Sequence, residues 1–324
     1  MKATPLALSA VAALAAVLAA PSALAQGYPN KPIRWVVPYP AGGGSDFMAR
    51  TLGAQIFSDL EQTVIVENKP GANGAIAVQD VVRGGPDGYA VMNADNGQMV
   101  FNPALYKNLT YKVADLAPVT LIGKVPMLLI ATPGGEFTDA KEFIAKIKAN
   151  PGKYSVASAG AGTPHHLALE MLKHQGGLFM VHIPYRGAAP AMADVASGQL
   201  QAAMSDYAAA AGFVKGGRVK ALAVANSTRI PQLPDVPTFA ELGIKGAEAA
   251  ALVGLVAAAG TPPERIAKLQ ESVAKAFRNP TVRGKFIDFG VEPGGIPTAE
   301  YAALLQEETA RWHKLIHDLK ISLD

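Results

Sequence analysis

Two stretches of the 324-residue chain set small residues beside side chains capable of chemistry, each where a predicted strand gives way to a predicted helix. The first reads VVPYPAGGGSDFMAR from Val36, and the second reads SVASAGAGTPHHLAL from Ser155. Unpaired N–H groups converge at such a junction, and the helix dipole favours negative charge there. Neither loop carries Lys or Arg, and neutral donors suit one carboxylate better than a doubly charged phosphate. Ser45, Thr163 and His166 add side-chain donors. A plainer reading stays open, in which the glycines only permit tight turns and Asp46 only caps its helix.

Other chemistries fit less well. A P-loop needs a lysine and a Ser/Thr closing the glycine run, whereas Gly42-Gly43-Gly44 is followed by Ser45-Asp46. A dinucleotide fold matches in Gly42-x-Gly44 and in Glu67 on the next strand, but the third small position is Phe47, and in the second loop it is His165. The G-x-S-x-G elbow of serine hydrolases is absent, although Ser45 or Ser158 paired with a histidine keeps an exported hydrolase as an alternative. His313 and His317 have chelating spacing, yet no third ligand is evident, and an exposed helix face explains them. No cofactor and no metal are expected.

Residues 1–25 have one charge at Lys2, an apolar run from Leu6 to Ala20, and Ala23-Leu24-Ala25 before Gln26. That is the pattern of a cleaved secretory signal, predicting a periplasmic protein that starts near Gln26. The chain has no cysteine, so an exported domain must rely on its core alone. About 300 residues suffice, since a chain of that size buries roughly 75% of its unfolded surface. The net charge of +3 comes without basic runs, which excludes nucleic acid as an expected partner.

Apolar runs such as IRWVV, TVIVEN, YAVMNA, MLLIAT and VKALAVA alternate with stretches of helical period, among them Asp46 to Leu60 and Ala140 to Ala149. This predicts an α/β protein with parallel sheets covered on both faces. Ile266, Leu269, Val273 and Phe277 form one helical stripe, and Tyr301, Leu305, Trp312, Leu315, Ile316 and Leu319 another. Both are expected to pack in the core. The two glycine loops echo one another, once in each of two α/β lobes. Proline-punctuated apolar segments, near Gly123 to Leu128 and Ala250 to Val256, are the expected crossings.

The chain resembles the Bug-type periplasmic solute receptors of tripartite tricarboxylate transport systems. The matching strings are YPNKPIRWVVPYPAGGGSD, VIVENKPGANG, PDGYAVM, NPALY, DLAPVTLIG, PGKYSVASAGAGTPHHLALE, VHIPYRGAAPAMADVASGQL, RIPQLPDVPTFAELG and AAAGTPPERIAKL, in order along the chain. The resemblance implies two Rossmann-like lobes with a ligand cleft between them, a Venus flytrap of the type II periplasmic class, without catalytic activity. Lobe 1 is expected over 26–125 and 250–324, and lobe 2 over 126–249. The loops then become pincers on one ligand carboxylate. The first pincer comprises Tyr39, Ala41, Gly42, Gly43, Ser45 and Asp46; the second comprises Ala159, Gly160, Ala161, Gly162 and Thr163, with His166 just inside the helix. The family's Pro-Tyr-basic-Gly element adds Arg186 and Gly187. Its Asp-Asn pair is Asp206-Tyr207 here, a departure at position 207. The implied ligand is a di- or tricarboxylate, aromatic acid or acidic amino acid. A monomer would deliver it to membrane transporter subunits, or the loaded protein would dock on a membrane sensor.

Overall fold

The computed structural model describes residues 27–324, so the signal segment expected over 1–25 lies outside the described residues. Strands β1 (Ile33–Val37), β2 (Val64–Asn68) and β3 (Ala90–Ala94) pair in parallel in the order β2-β1-β3, the arrangement that alternating apolar strands and helices impose. Helices α1 (Gly44–Leu60) and α2 (Ala75–Gly84) make the crossovers. A second parallel set follows in β5 (Ser155–Ser158), β6 (Val181–Pro184) and β7 (Ala202–Asp206), with β5 in the middle. Its crossovers are α3 (Pro164–Gly176) and α4 (Ala188–Ala196). The fold is therefore the two-lobed α/β architecture that was expected.

The two crossing strands depart from the parallel pattern. Strand β4 (Leu116–Ala131) and strand β9 (Ala250–Ala258) run antiparallel to each other, and β9 is antiparallel to β3. β4 pairs with β9 from Leu116 to Pro126, then from Met127 onward with β7 and with β8 (Lys220–Ala225) on its other side. One strand thus leaves the first sheet and enters the second without a break, while β9 brings the chain back. An outgoing and a returning strand side by side must oppose each other in direction. All nine residues of β9 except Ala250 are buried, as are most of β4, which is why both read as continuous apolar runs.

Helices α5 (Pro263–Arg278), α6 (Pro280–Asp288) and α7 (Thr298–Asp318) cover the first sheet. The stripe residues Ile266, Leu269, Val273 and Phe277 are buried, as are Tyr301, Leu305, Trp312, Leu315 and Ile316, whereas Leu319 is half-buried. Trp312 meets Phe101 edge-on at 5.1 Å. His313 is tied to the Val100 carbonyl at 2.8 Å, and His317 is exposed, so the pair forms no chelate. Among the described residues no helix is long and apolar enough to cross a membrane.

Candidate functional site

Both glycine loops follow the carboxyl end of a parallel strand, β1 or β5, and both are built around the same tie. In the first, Gly42 has φ +84°, a left-handed conformation that glycine adopts without penalty. Its N–H donates to Asp46 Oδ2 at 3.0 Å, four residues on. In the second, Gly162 has φ +75°, and its N–H donates to His166 Nδ1 at 3.1 Å, again four residues on. Each acceptor sits in the first turn of the following helix, and each is buried. The tie turns the loop back onto the helix start. It leaves the N–H groups of Gly43, Gly44 and Ser45, and of Ala161, without a partner among the described residues.

The first loop is braced from behind. Asp46 also receives Arg50 Nε at 3.0 Å and Asn68 Nδ2 at 3.0 Å, and Asn68 Nδ2 reaches the Tyr39 carbonyl as well. Burial alone would raise the Asp46 carboxyl, but Arg50, the Gly42 amide and Asn68 outweigh it and hold it below the usual carboxylate range. Asp46 therefore stays ionised as a holder of the loop. Asn93 in β3 orients Ser45: Trp35 Nε1–H donates to its Oδ1 at 2.7 Å, so its Nδ2 faces Ser45 Oγ at 2.9 Å and donates. A serine hydroxyl that accepts still has its own proton to give. Ser45 is half-buried and presents that donor beside the free amides.

Thr163 differs from Ser45. Its hydroxyl donates to the Gly160 carbonyl at 2.6 Å and accepts from His166 N at 3.4 Å, the bond of a helix N-cap, with Pro164 in the first helical position. Its single proton is used inside the loop. Ala159 accepts from Gly187 N–H at 2.9 Å, which fastens the Pro184-Tyr185-Arg186-Gly187 element to the second loop. Arg186 itself is exposed and makes no ion pair among the described residues. Ala41, Gly42 and Gly43 are exposed, whereas Gly162 is buried.

Behind the second loop, Ser158 Oγ accepts the Gly160 N–H at 3.1 Å and lies 2.6 Å from His182 Nε2. A Ser–His contact is what a hydrolase needs, but Ser158 is 0% exposed and its oxygen is already taken up by the Gly160 N–H within the loop. His182 stacks on His166 with ring centres 4.2 Å apart, and Glu170 completes a set whose ligand atoms lie within 4.8 Å of one another. The chemistry of that set is not a cation's. Gly162 N–H points at His166 Nδ1, so the ring proton belongs on Nε2, where a metal would have to bind. Lys173 Nζ already neutralises Glu170 at 2.8 Å.

The second loop lies close to residues outside its own lobe. A Cβ placed on Gly162 would lie 2.6 Å from Asn73 Nδ2 and 2.7 Å from Leu323 Cδ1, both on the first lobe's side. Asn73 stands in a left-handed turn, φ 49°, held by Gln98 and Asn102 side chains on its carbonyl. Tyr39 closes the first loop on Asp95 at 2.6 Å, and Asp95 also accepts the Gly97 amide. Asp206, at the end of β7, caps the next helix through Ala209 N and meets His165 Nε2 at 2.9 Å. Tyr207, the departure from the family pattern, is buried and packs against Gly290. Glu67, the residue a ribose would have wanted, is bound by Arg34 at 2.8 Å and Lys69 at 3.4 Å. Two open crevices lie away from these loops, one of them near the crossing, lined by Pro126, Ile230, Arg283 and Glu292.

Asn93, Asp95, His165 and His182 escaped the sequence reading. Asn93 left a trace, as the one amide in the apolar run YAVMNA, and Asp95 follows it directly. The burial of the His166–His182 stack has a measurable consequence. Burial, and for His182 the neighbouring His166, lowers both imidazoles to about 4. The unfolded chain protonates near 6.5, so stability from these groups is complete above that pH and is lost as pH falls toward 4. Replacing His182→Gln should flatten the decline in unfolding free energy from urea titrations between pH 6.5 and 4, by up to about 1.4 kcal/mol per pH unit. An unchanged slope would contradict the placement of the stack.

Comparison with known proteins agrees with this geometry. Residues 48–321 match the family described as the tripartite tricarboxylate transporter family receptor. BugT of Bordetella pertussis is 31% identical, with 91% of each chain covered. Among solved structures, the periplasmic binding protein BugD superposes with a TM-score of 0.81 at 33% identity, covering 91% of this chain and all of that one. MatC of Rhodopseudomonas palustris with bound malate gives 0.81 at 30% identity, over 89% of this chain and all of that one. An adipate-bound protein of the same organism gives 0.86 at 29%, over 92% and all of its chain. With a family match over most of its length, two lobes and a glycine loop in each, the chain belongs to the tripartite tricarboxylate transporter receptor family and is a solute-binding receptor of that family.

Proposed function

We propose that the protein captures a small organic carboxylate in the periplasm, as a monomer without catalytic activity, and delivers it to a membrane transporter. The observation that carries this reading is the repeated tie: a left-handed glycine bound four residues ahead, with N–H groups in each loop left unpartnered among the described residues. A carboxylate has two oxygens with about four acceptor positions, which suits several neutral donors. Bound malate and adipate in two structural relatives support the same chemical class.

The pincers divide the work. Gly43, Ser45 and the Gly44 amide in the first loop, with Ala161 in the second, take the carboxylate. Tyr39, Ala41, Gly42, Asp46, Ala159, Gly160, Gly162, Thr163, His166 and Gly187 hold the two loops in shape. The lobes divide at 26–125 with 250–324, and 126–249, a boundary supported by the exchange of partners in β4 between Pro126 and Met127. A ligand gripped from both sides binds the closed state better than the open one, and that difference drives closure. The buried Ser158 argues against a serine hydrolase.

A carboxylate present at about 100 times its Kd should stabilise the protein by about 2.7 kcal/mol in thermal melting. Ser45→Ala should weaken binding by about 1 kcal/mol, roughly fivefold, as read by calorimetry. Ligand-free protein that melts identically with every di- and tricarboxylate, aromatic acid and acidic amino acid would defeat the receptor reading. Gly162→Ala places a methyl between the lobes, so small-angle scattering should return a larger radius of gyration than for the parent. Equal radii would show that Gly162 does not set the approach.

A further inference from the structure

Beyond the carboxylate grip, the second lobe holds a buried acceptor with no donor to fill it among the described residues. His165 lies two residues past the Thr163 cap, in the first turn of α3. Its Nε2 is 2.9 Å from Asp206 Oδ2, and the other Asp206 oxygen is fixed by Ala209 N–H. Burial would raise the Asp206 carboxyl, but the His165 hydrogen bond outweighs it and holds it below the usual range. An ionised carboxylate only accepts, so the proton of that contact sits on His165 Nε2. The ring's other nitrogen, Nδ1, faces away from Asp206. It is buried and has no partner among the described residues.

A second ligand carboxylate directed here would meet the like charge of Asp206. A buried acceptor left unpaired costs free energy, and a ligand that supplies a donor recovers it.

We propose that His165, backed by Asp206, forms a second subsite that accepts a hydrogen-bond donor carried by the ligand, selecting hydroxy- and amino-carboxylates over their unsubstituted counterparts. The inference rests on the receptor reading above and adds the ligand's second functional group. The contact distinguishes two donors. A hydroxyl can partner Nδ1 whether that nitrogen is bare or protonated, whereas an ammonium partners it only when bare.

The test uses matched trios in calorimetry on ligand-free protein: succinate, malate and aspartate; glutarate, 2-hydroxyglutarate and glutamate; phenylacetate, mandelate and phenylglycine. In at least one trio the hydroxy or amino acid should bind about tenfold tighter than the unsubstituted acid, the scale of one buried polar group satisfied. His165→Phe keeps a ring and removes the acceptor, so this ratio should fall toward one. Asp206→Asn turns the partner into a donor and moves the ring proton to Nδ1, so the amino-acid preference should fall further than the hydroxy-acid preference. That second variant keeps a helix-capping side chain and serves if His165→Phe fails to fold. Unsubstituted acids binding as tightly as their substituted partners, or ratios untouched by both variants, would overturn the subsite alone. Absence of binding by all nine acids would overturn the receptor reading together with it.

Discussion

Everything else in the structure depends on β4 belonging to two sheets at once. Its backbone bonds to β9 as far as Pro126 and to β7 and β8 from Met127, so the lobes share a spine. From Met127 to Ala131 the strand is paired on both sides, and its freedom to twist concentrates where the partners change. At that exchange Met127 N–H donates to Ala249, whose own N–H donates to Ala225. Beside it, Lys124 Nζ reaches Asn226 at 2.9 Å, and Asn226 reaches Glu292.

Given that frame, the loops solve one problem with different side chains. A turn rich in glycine is cheap to bend and equally cheap to unbend, so free N–H groups would not stay aimed at a ligand. Asp46 and His166 remove that freedom by accepting the N–H of a glycine four residues back. An ionised carboxylate and a neutral imidazole do this alike, because each supplies a lone pair. The charge nevertheless matters to the surroundings. Asp46 brings Arg50 and Asn68, whereas neutral His166 permits the stacked His182 behind it.

The two lobes and the two loops were legible in the sequence because strand runs, glycine clusters and helix starts are local signals. The stripes on α5 and α7 were legible for the same reason. The antiparallel direction of β4 and β9 was not, since the run from Leu116 to Ala131 is largely apolar and carries no mark of which partner lies where. Thr163 and Ser45 looked equivalent as hydroxyls beside glycine. Only the geometry separates them, because Thr163 spends its proton on Gly160 while Ser45 accepts from Asn93 and keeps its own. His165 and His182 had no local signal at all. Their partners are Asp206, 41 residues away, and Ser158, 24 residues away.

The central claim is that neutral backbone donors from both loops hold one carboxylate. A crystal structure of the protein with a bound carboxylic acid tests it most directly. Carboxylate oxygens should lie about 2.7–3.2 Å from the amides of Gly43, Gly44 or Ser45 on one side, and from Ala161 on the other, directly or through one water. A carboxylate seated on Arg186, or held by one lobe with the other loop turned away, would contradict it.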